Sequence, residues 1–196
     1  MNRREFNKQE TIKHIKSNFV LCYEAYGIDK ININELCAQC MVAKSTFYQY
    51  FDDKYSVLEE IEQELLDQLI HIVFDSEITL NLSDLMKGVP IPIASEVIHF
   101  LSQNRKAFKA LLGPNGDPVF VKRWHKYIMK SYEELFRSNQ SVSGHDKLAS
   151  SLFASSLLEL YRFFLSETPR ISEKECAVMA GNLLKCFLYD FGSFIE

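Results

Sequence analysis

The chain has 196 residues, 47% of them hydrophobic and 24% charged, which excludes a disordered chain and supplies enough apolar mass for one or two folded domains. Only 7 Gly and 5 Pro interrupt it, too few for a many-turned β-sandwich, so long helices are expected. The formal net charge is −4, with +1 over residues 1–54 and −5 over the remainder, so any contact with nucleic acid must come from a few well-placed groups.

The polar start, Met1-Asn2-Arg3-Arg4-Glu5, has no signal-peptide pattern, and no apolar run approaches the roughly 18–20 residues that span a bilayer. A cytoplasmic chain with no membrane partner is therefore expected. The first predicted helix carries Ile12, Ile15, Phe19, Cys22, Tyr23 and Tyr26 at steps of three and four, and Gly27 closes it. Asn32 and Glu35 predict a capped second helix running to about Cys40. After three residues of turn, Lys44 to Tyr50 predicts another short helix. Asp52 and Asp53 cap a longer one with Val57, Leu58, Ile61, Leu65, Leu69 and Ile72. From Asp75 to Pro92 the pattern fails, and an irregular connector is expected. Helical periodicity returns with Val97, Ile98 and Leu101, then with Phe108, Leu111 and Leu112. Gly113-Pro114-Asn115-Gly116 reads as a turn, with Asp117-Pro118 opening the next helix. Two more helices are predicted, about 146–166 and 172–191, separated by Thr168-Pro169-Arg170, the second with a Ser172/Glu175 capping box. The fold class is all-α, with about nine helices.

Five cysteines, an odd number, argue against a disulfide framework. The spacing Cys37-x-x-Cys40 fits a zinc or redox pair, but no second Cys or His pair has suitable spacing, so buried thiols and no metal site are expected. No catalytic triad, Cys-His pair or phosphate loop is spaced for chemistry, so neither an enzyme nor a cofactor is expected.

Two short helices joined by a three-residue turn are the layout of a DNA-reading helix-turn-helix. The run from Leu36 to Lys54, centred on Thr46-Phe47-Tyr48-Gln49-Tyr50-Phe51, resembles the N-terminal DNA-binding domain of the TetR family of transcriptional regulators. Thr11-Ile12, Phe19, Gly27 and Ile33 support the resemblance, which spans roughly positions 9–60. It implies a DNA-binding domain over 1–54, followed by an effector-binding and dimerisation domain over 55–196. Lys44, Ser45, Thr46 and Gln49 then sit on the groove-facing surface, where Lys44 suits guanine and Gln49 suits adenine. Tyr48 matches a tyrosine that contacts phosphate. Tyr50 packs within the domain or reaches the DNA backbone, and Asn32 and Lys54 stand near helix starts suited to phosphate. Met41 stands where the family usually has a glycine in the turn, which costs about 1–2 kcal/mol if that residue is left-handed. Ala43 stands where a capping Ser or Thr is usual.

The rest of the chain is dense in aromatics. Phe100, Phe108, Phe120, Trp124, Tyr127 and Tyr161 are candidates to line a pocket for a small apolar or aromatic effector, with ordinary core as the alternative. The run from Asn104 to Phe120 resembles a subset of TetR-like C-terminal regions from low-GC Gram-positive bacteria. The last two helices resemble those that dimerise in the family. Ala149, Ala154, Ser155, Ala177, Ala180 and Gly181 are small enough for close helix approach. The expected function is a repressor that binds double-stranded operator DNA as a homodimer and is released by an effector. The alternative is a co-regulator of the same fold that works through a partner protein.

Overall fold

The computed structural model describes residues 2–75, 87, 89–138, 146–166 and 171–190. Among them are nine α-helices and no strand, so the all-α expectation holds. They divide into two compact units, residues 1–66 with 106–117, and residues 67–105 with 118–196.

In the first unit, α1 (Arg3–Tyr26) opens on the Asn2 side chain, which accepts from the Arg4 N–H. It ends at Gly27, whose φ of 75° suits a residue without a Cβ. A 3₁₀ turn (Ile28–Lys30) leads to α2 (Ile33–Gln39), α3 (Lys44–Phe47) and α4 (Lys54–Ile70). Asn32 caps α2 by accepting from the Asn34 N–H at 2.8 Å, one residue short of the predicted box partner. α3 stops at Phe47 and not at Tyr50. Beyond it the N–H groups of Gln49 and Tyr50 turn back to the carbonyls of Thr46 and Phe47, the tightened pattern common where a helix ends. Asp53 caps α4 in both directions with Ser56.

Ile15, Phe19 and Tyr23 of α1, Leu36 and Cys37 of α2, Phe47, Phe51, and Val57 and Ile61 of α4 are all buried. Lys16, nearly covered, fixes α1 to α4 through Glu60 at 3.0 Å and Glu64 at 2.7 Å. The segment 106–117 adds buried Phe108 and Leu111. It is tied to α1 by an ion pair from Lys109 to Glu24 at 2.9 Å and by the Asn115 amide, which donates to the Glu24 carbonyl at 3.2 Å. In the turn before Pro118, a Cβ on Gly116 would lie 2.0 Å from the Leu111 carbonyl oxygen, so only glycine fits.

In the second unit, α5 (Pro92–Gln103) starts on Pro92, where a missing N–H costs nothing. A short helix α6 (Arg105–Leu112) follows, all but Arg105 of it in the first unit. Then come α7 (Pro118–Ser138), α8 (Asp146–Leu165) and α9 (Glu173–Lys185), with π-helical turns at His71–Asp75 and Cys186–Asp190. α7 packs on α8, and α9 packs on both α5 and α8. The Arg105 guanidinium donates to the Phe164 carbonyl at 3.0 Å and the Ser166 carbonyl at 2.8 Å, satisfying the C-terminal end of α8. The predicted capping box is present, with Ser172 and Glu175 bonded reciprocally. Most of the predicted connector, and Thr168-Pro169-Arg170, lie outside the described residues. Contrary to the expectation that no apolar run approaches a bilayer span, the stretch Lys147–Leu165 of α8 is by length and composition apolar enough to cross a membrane. More than half of it is buried in the bundle, as befits a core helix.

Candidate nucleic-acid interface

The buried side of α3 is one residue. Phe47 has no exposed surface and packs edge-on against Tyr48, with ring centroids 5.4 Å apart, and against Phe51 at 5.6 Å. Fixing that ring fixes the rest of the short helix. Lys44, Ser45, Tyr48 and Gln49 are exposed around it, and Thr46 and Tyr50 are half-buried. The Lys44 ammonium lies 5.8 Å from the centroid of the Tyr48 ring, which restrains both side chains while leaving the Tyr48 hydroxyl out of the contact. This surface offers an ammonium, two hydroxyls on aliphatic side chains, two phenols and an amide. Those groups suit base edges and phosphate oxygens.

The turn before α3 carries the two departures noted in the sequence. Met41 has φ 52°, the one non-glycine residue in the left-handed region among those described, and is 87% exposed. Ala43 occupies the N-cap of α3 and makes no side-chain cap bond.

Asn32 is exposed, with its side-chain carbonyl oxygen accepting from the Asn34 N–H. Lys54 is placed differently from the sequence expectation. Its ammonium donates to the carbonyls of Asp29 at 2.9 Å and Ile31 at 3.3 Å, tying the first turn of α4 to the chain just before α2. Two of its three donors are thus used inside the domain. Sequence spacing carries no signal for that contact, which joins residues more than twenty apart. Cys37 and Cys40 are buried. Burial, with Cys37 and Cys22 nearby, pushes the Cys40 thiol up to about 11, and burial raises Cys37 too, so both stay protonated at neutral pH.

The aromatic candidates fall in different places. Phe100, Phe120, Trp124 and Tyr161 are buried in the second unit and Tyr127 is half-buried. Trp124 stacks on Tyr161, with centroids 5.5 Å apart and planes within 16°, and Phe120 lies 6.0 Å from Trp124. Burial drives the Tyr161 phenol far above its ordinary range. Phe108 is buried in the first unit, so the six are not brought together within one unit. A second cluster is formed by aromatics that belong to the same dense set but lie outside the six pocket candidates. Tyr132 stacks on Phe153 at 4.9 Å, and its hydroxyl donates to the Phe187 carbonyl at 2.9 Å. Ala149, Ala154, Ala177, Ala180 and Gly181 are buried in this single chain. The large apolar side chains exposed on these helices are Leu148, Leu152, Phe163 and Met179.

The first unit holds a helix-turn-helix and the second a helical bundle. Residues 22–61 match the model of the bacterial regulatory proteins of the tetR family. Solved TetR-family regulators share the fold. One from Syntrophomonas wolfei aligns at TM-score 0.66 and 18% identity, over 91% of this chain and 94% of that one. Another from Streptococcus agalactiae aligns at 0.64 and 16%, over 92% and 97%. A third, from Mesorhizobium loti, aligns at 0.58 and 18%, over 96% and 98%. No curated protein matches the chain in sequence. The chain has the fold of a TetR-family transcriptional regulator and carries that family's DNA-binding helix-turn-helix segment.

Proposed function

We propose that the chain is a cytoplasmic transcriptional repressor that binds a pseudo-palindromic operator as a homodimer and is released by a small apolar or aromatic effector. The observation that supports it most is the arrangement of α3, with polar Lys44, Ser45, Tyr48 and Gln49 exposed around a fully buried Phe47. Lys44 and Gln49 read bases in the major groove. Ser45, Thr46, Tyr48, Tyr50 and Asn32 hold phosphates, with the remaining donor of Lys54 beside them. The reader occupies residues 1–54, and residues 55–196 serve effector binding and dimerisation.

The dimer forms through α8 and α9. Leu148, Leu152, Ser155, Glu159 and Phe163 recur at steps of three and four on the exposed side of α8, and Met179 is exposed on α9. A two-fold pairing covers these apolar groups and sets two α3 helices about one DNA turn apart. The effector is held beside Phe100, Phe120, Trp124, Tyr127 and Tyr161, and shifts the population of DNA-binding dimers. The test is a mobility shift with the chain's own upstream region at graded salt, paired with sedimentation. A discrete shifted complex and a dimer support the reading. A monomer at micromolar concentration overturns the dimer.

A second reading, a co-regulator acting through a partner protein, is favoured by one feature, the strained and exposed Met41 at the tip of the turn. Under it the chain alone shifts no duplex even at low salt.

A further inference from the structure

We infer that Cys37 and Cys40 form a two-thiol site for a soft monovalent metal ion of the Cu(I) kind, and that its occupation restrains Lys44. The site stands on the geometry of α2, and only its effect on DNA rests on the DNA-binding reading above. Three of the five cysteines, Cys22, Cys37 and Cys40, fall within the first unit. Cys37 and Cys40 stand three residues apart at the end of α2, and both are buried. The Cys40 thiol faces the His14 carbonyl of α1 at 3.9 Å, where the two helices pack. The backbone there is firmly held. The Cys40 N–H donates to the Leu36 carbonyl at 2.9 Å. The N–H groups of Met41 and Val42 return to the carbonyls of Ala38 at 3.1 Å and Cys37 at 3.0 Å, the bonding of a Schellman turn. Helical Cβ atoms at this spacing are about 5–6 Å apart. A disulfide needs them at about 3.8 Å, so forming one pulls Cys40 out of that turn. A bridging ion inserts two metal–thiolate bonds, each about 2.3 Å in zinc sites, and spans the gap with the backbone in place.

The expectation of no metal site follows from the four ligands that structural zinc requires. Among the described residues no group of three or more His, Cys, Asp or Glu side chains can hold an ion, which leaves the pair to one that accepts two ligands. Thiolates select Cu(I), and Cu(I) is stable with two of them. Binding exchanges two S–H bonds for two S–Cu bonds and releases two protons, so the occupied site carries one negative charge. Burial raises both thiols, that of Cys40 to about 11, so both protons are there to be displaced at neutral pH. The charged group that favours the Cys37 thiolate is the Lys44 ammonium, and Cys22 is the group of α1 that acts on Cys40. Lys44 is exposed at the start of α3. A negative charge in place of two neutral thiols draws its ammonium inward, away from base edges. Cys22, raised by burial and then by Glu35, is only half-buried, and an ion passes inward from it by ligand exchange.

The test titrates the full chain, under nitrogen, with Cu(I) buffered by bathocuproine disulfonate, a chelator that single thiols do not outcompete. The parent is expected to take one equivalent, with affinity rising about a hundredfold per pH unit between about pH 6 and 8, the slope of two displaced protons. Cys37→Ala and Cys40→Ala, checked for the parent's melting temperature, each lose that equivalent. Cys22→Ala and Cys186→Ala keep it, and Cys22→Ala loads more slowly. On a duplex enriched by selection with the parent chain, Cu(I) is expected to remove preference at the base pair that Lys44→Ala affects, and to change nothing further in Lys44→Ala. No uptake by the parent overturns the site, as does a rise of only about tenfold per pH unit, or loss on Cys22→Ala or Cys186→Ala. A Cys37–Cys40 disulfide formed in air, read by mass, with no Cu(I) uptake overturns it in favour of a redox pair. Parental base preference in the loaded chain overturns the link to Lys44. A parent that takes one equivalent but binds no duplex overturns the DNA-binding reading and leaves the site standing.

Discussion

In the first unit the side chains assigned to function stand outside the core, and in the second they are the core. Lys44, Ser45, Tyr48 and Gln49 are exposed, and a single buried ring, Phe47, holds the short helix that carries them. Phe120, Trp124 and Tyr161 are buried, two of them face to face, and their burial is the same whether they wall a ligand site or fill space. Exposed polar groups are as ordinary as a buried aromatic, but those of α3 lie within the segment, residues 22–61, that matches the tetR-family model. A buried aromatic needs no explanation beyond packing. The DNA head is therefore the better-determined half of the functional reading.

The strongest way to break that contrast is to remove one ring from each unit. Phe47→Ala should cost about 3–5 kcal/mol and abolish DNA binding, since α3 has no other anchor of that size. Trp124→Ala should cost the same if it is ordinary core, and well under about 2 kcal/mol if it borders an open site, where its removal encloses no new cavity. Denaturant unfolding of both variants measures this directly. A small cost at Trp124, together with lost response to apolar compounds, makes the pocket real.

The next largest effect separates reading from gripping. Gln49→Ala and Lys44→Ala should each cost about 1–3 kcal/mol at one operator base pair and leave binding to random DNA nearly unchanged. Their exposed positions predict unaltered melting temperatures. Uniform weakening across all sequences would make these residues phosphate contacts and move base recognition elsewhere.

How much of this was legible in the sequence differs between the same two regions. The helix order, the glycine at the end of α1, the Ser172/Glu175 box and the Asp117-Pro118 start all follow from local chemistry, and each is present. α3 was read three residues too long, because apolar spacing through Tyr50 and Phe51 continues after the helical bonds have tightened. Lys54 was read as free for DNA, because nothing local announces two carbonyls more than twenty residues upstream. The small residues of α8 and α9 were read as a surface for a second chain. Spacing identifies close helix approach but not which helix approaches; all but Ser155 are buried in the single chain, where α8 and α9 pack on each other.

A smaller effect concerns the turn that precedes α3. Met41 holds φ 52° with its side chain in solvent, so Met41→Gly relieves about 1–2 kcal/mol of backbone strain and loses no contact. Glycine also gives the unfolded chain more freedom, which returns about 0.4–1 kcal/mol. A net stabilisation of about 0–1.6 kcal/mol is expected, visible as a higher denaturant midpoint at unchanged slope. If the variant is less stable, the left-handed residue is held by packing that glycine cannot replace. If it binds DNA more tightly by much more than this, the strained turn restrains the reader.

The smallest expected effect lies in the second unit and depends on pH. The Glu175 carboxylate accepts from the Ser172 hydroxyl at 2.7 Å and from the Ser172 N–H at 2.8 Å. The hydroxyl bond first, and the N–H bond second, hold this carboxyl below its ordinary value. A carboxyl that is harder to protonate when folded adds stability above the unfolded group's titration. That contribution fades as pH falls through the folded value. Stability should therefore decline on acidification through the carboxylate range, and Ser172→Ala should lower stability at neutral pH while flattening part of that decline. Glu175→Gln should flatten it similarly while keeping an acceptor for the Ser172 N–H. Melting temperatures of the three proteins across the acid range decide it. Parallel curves for parent and Ser172→Ala would show that the box caps α9 without governing its acid response, and that the bundle's sensitivity to pH resides elsewhere.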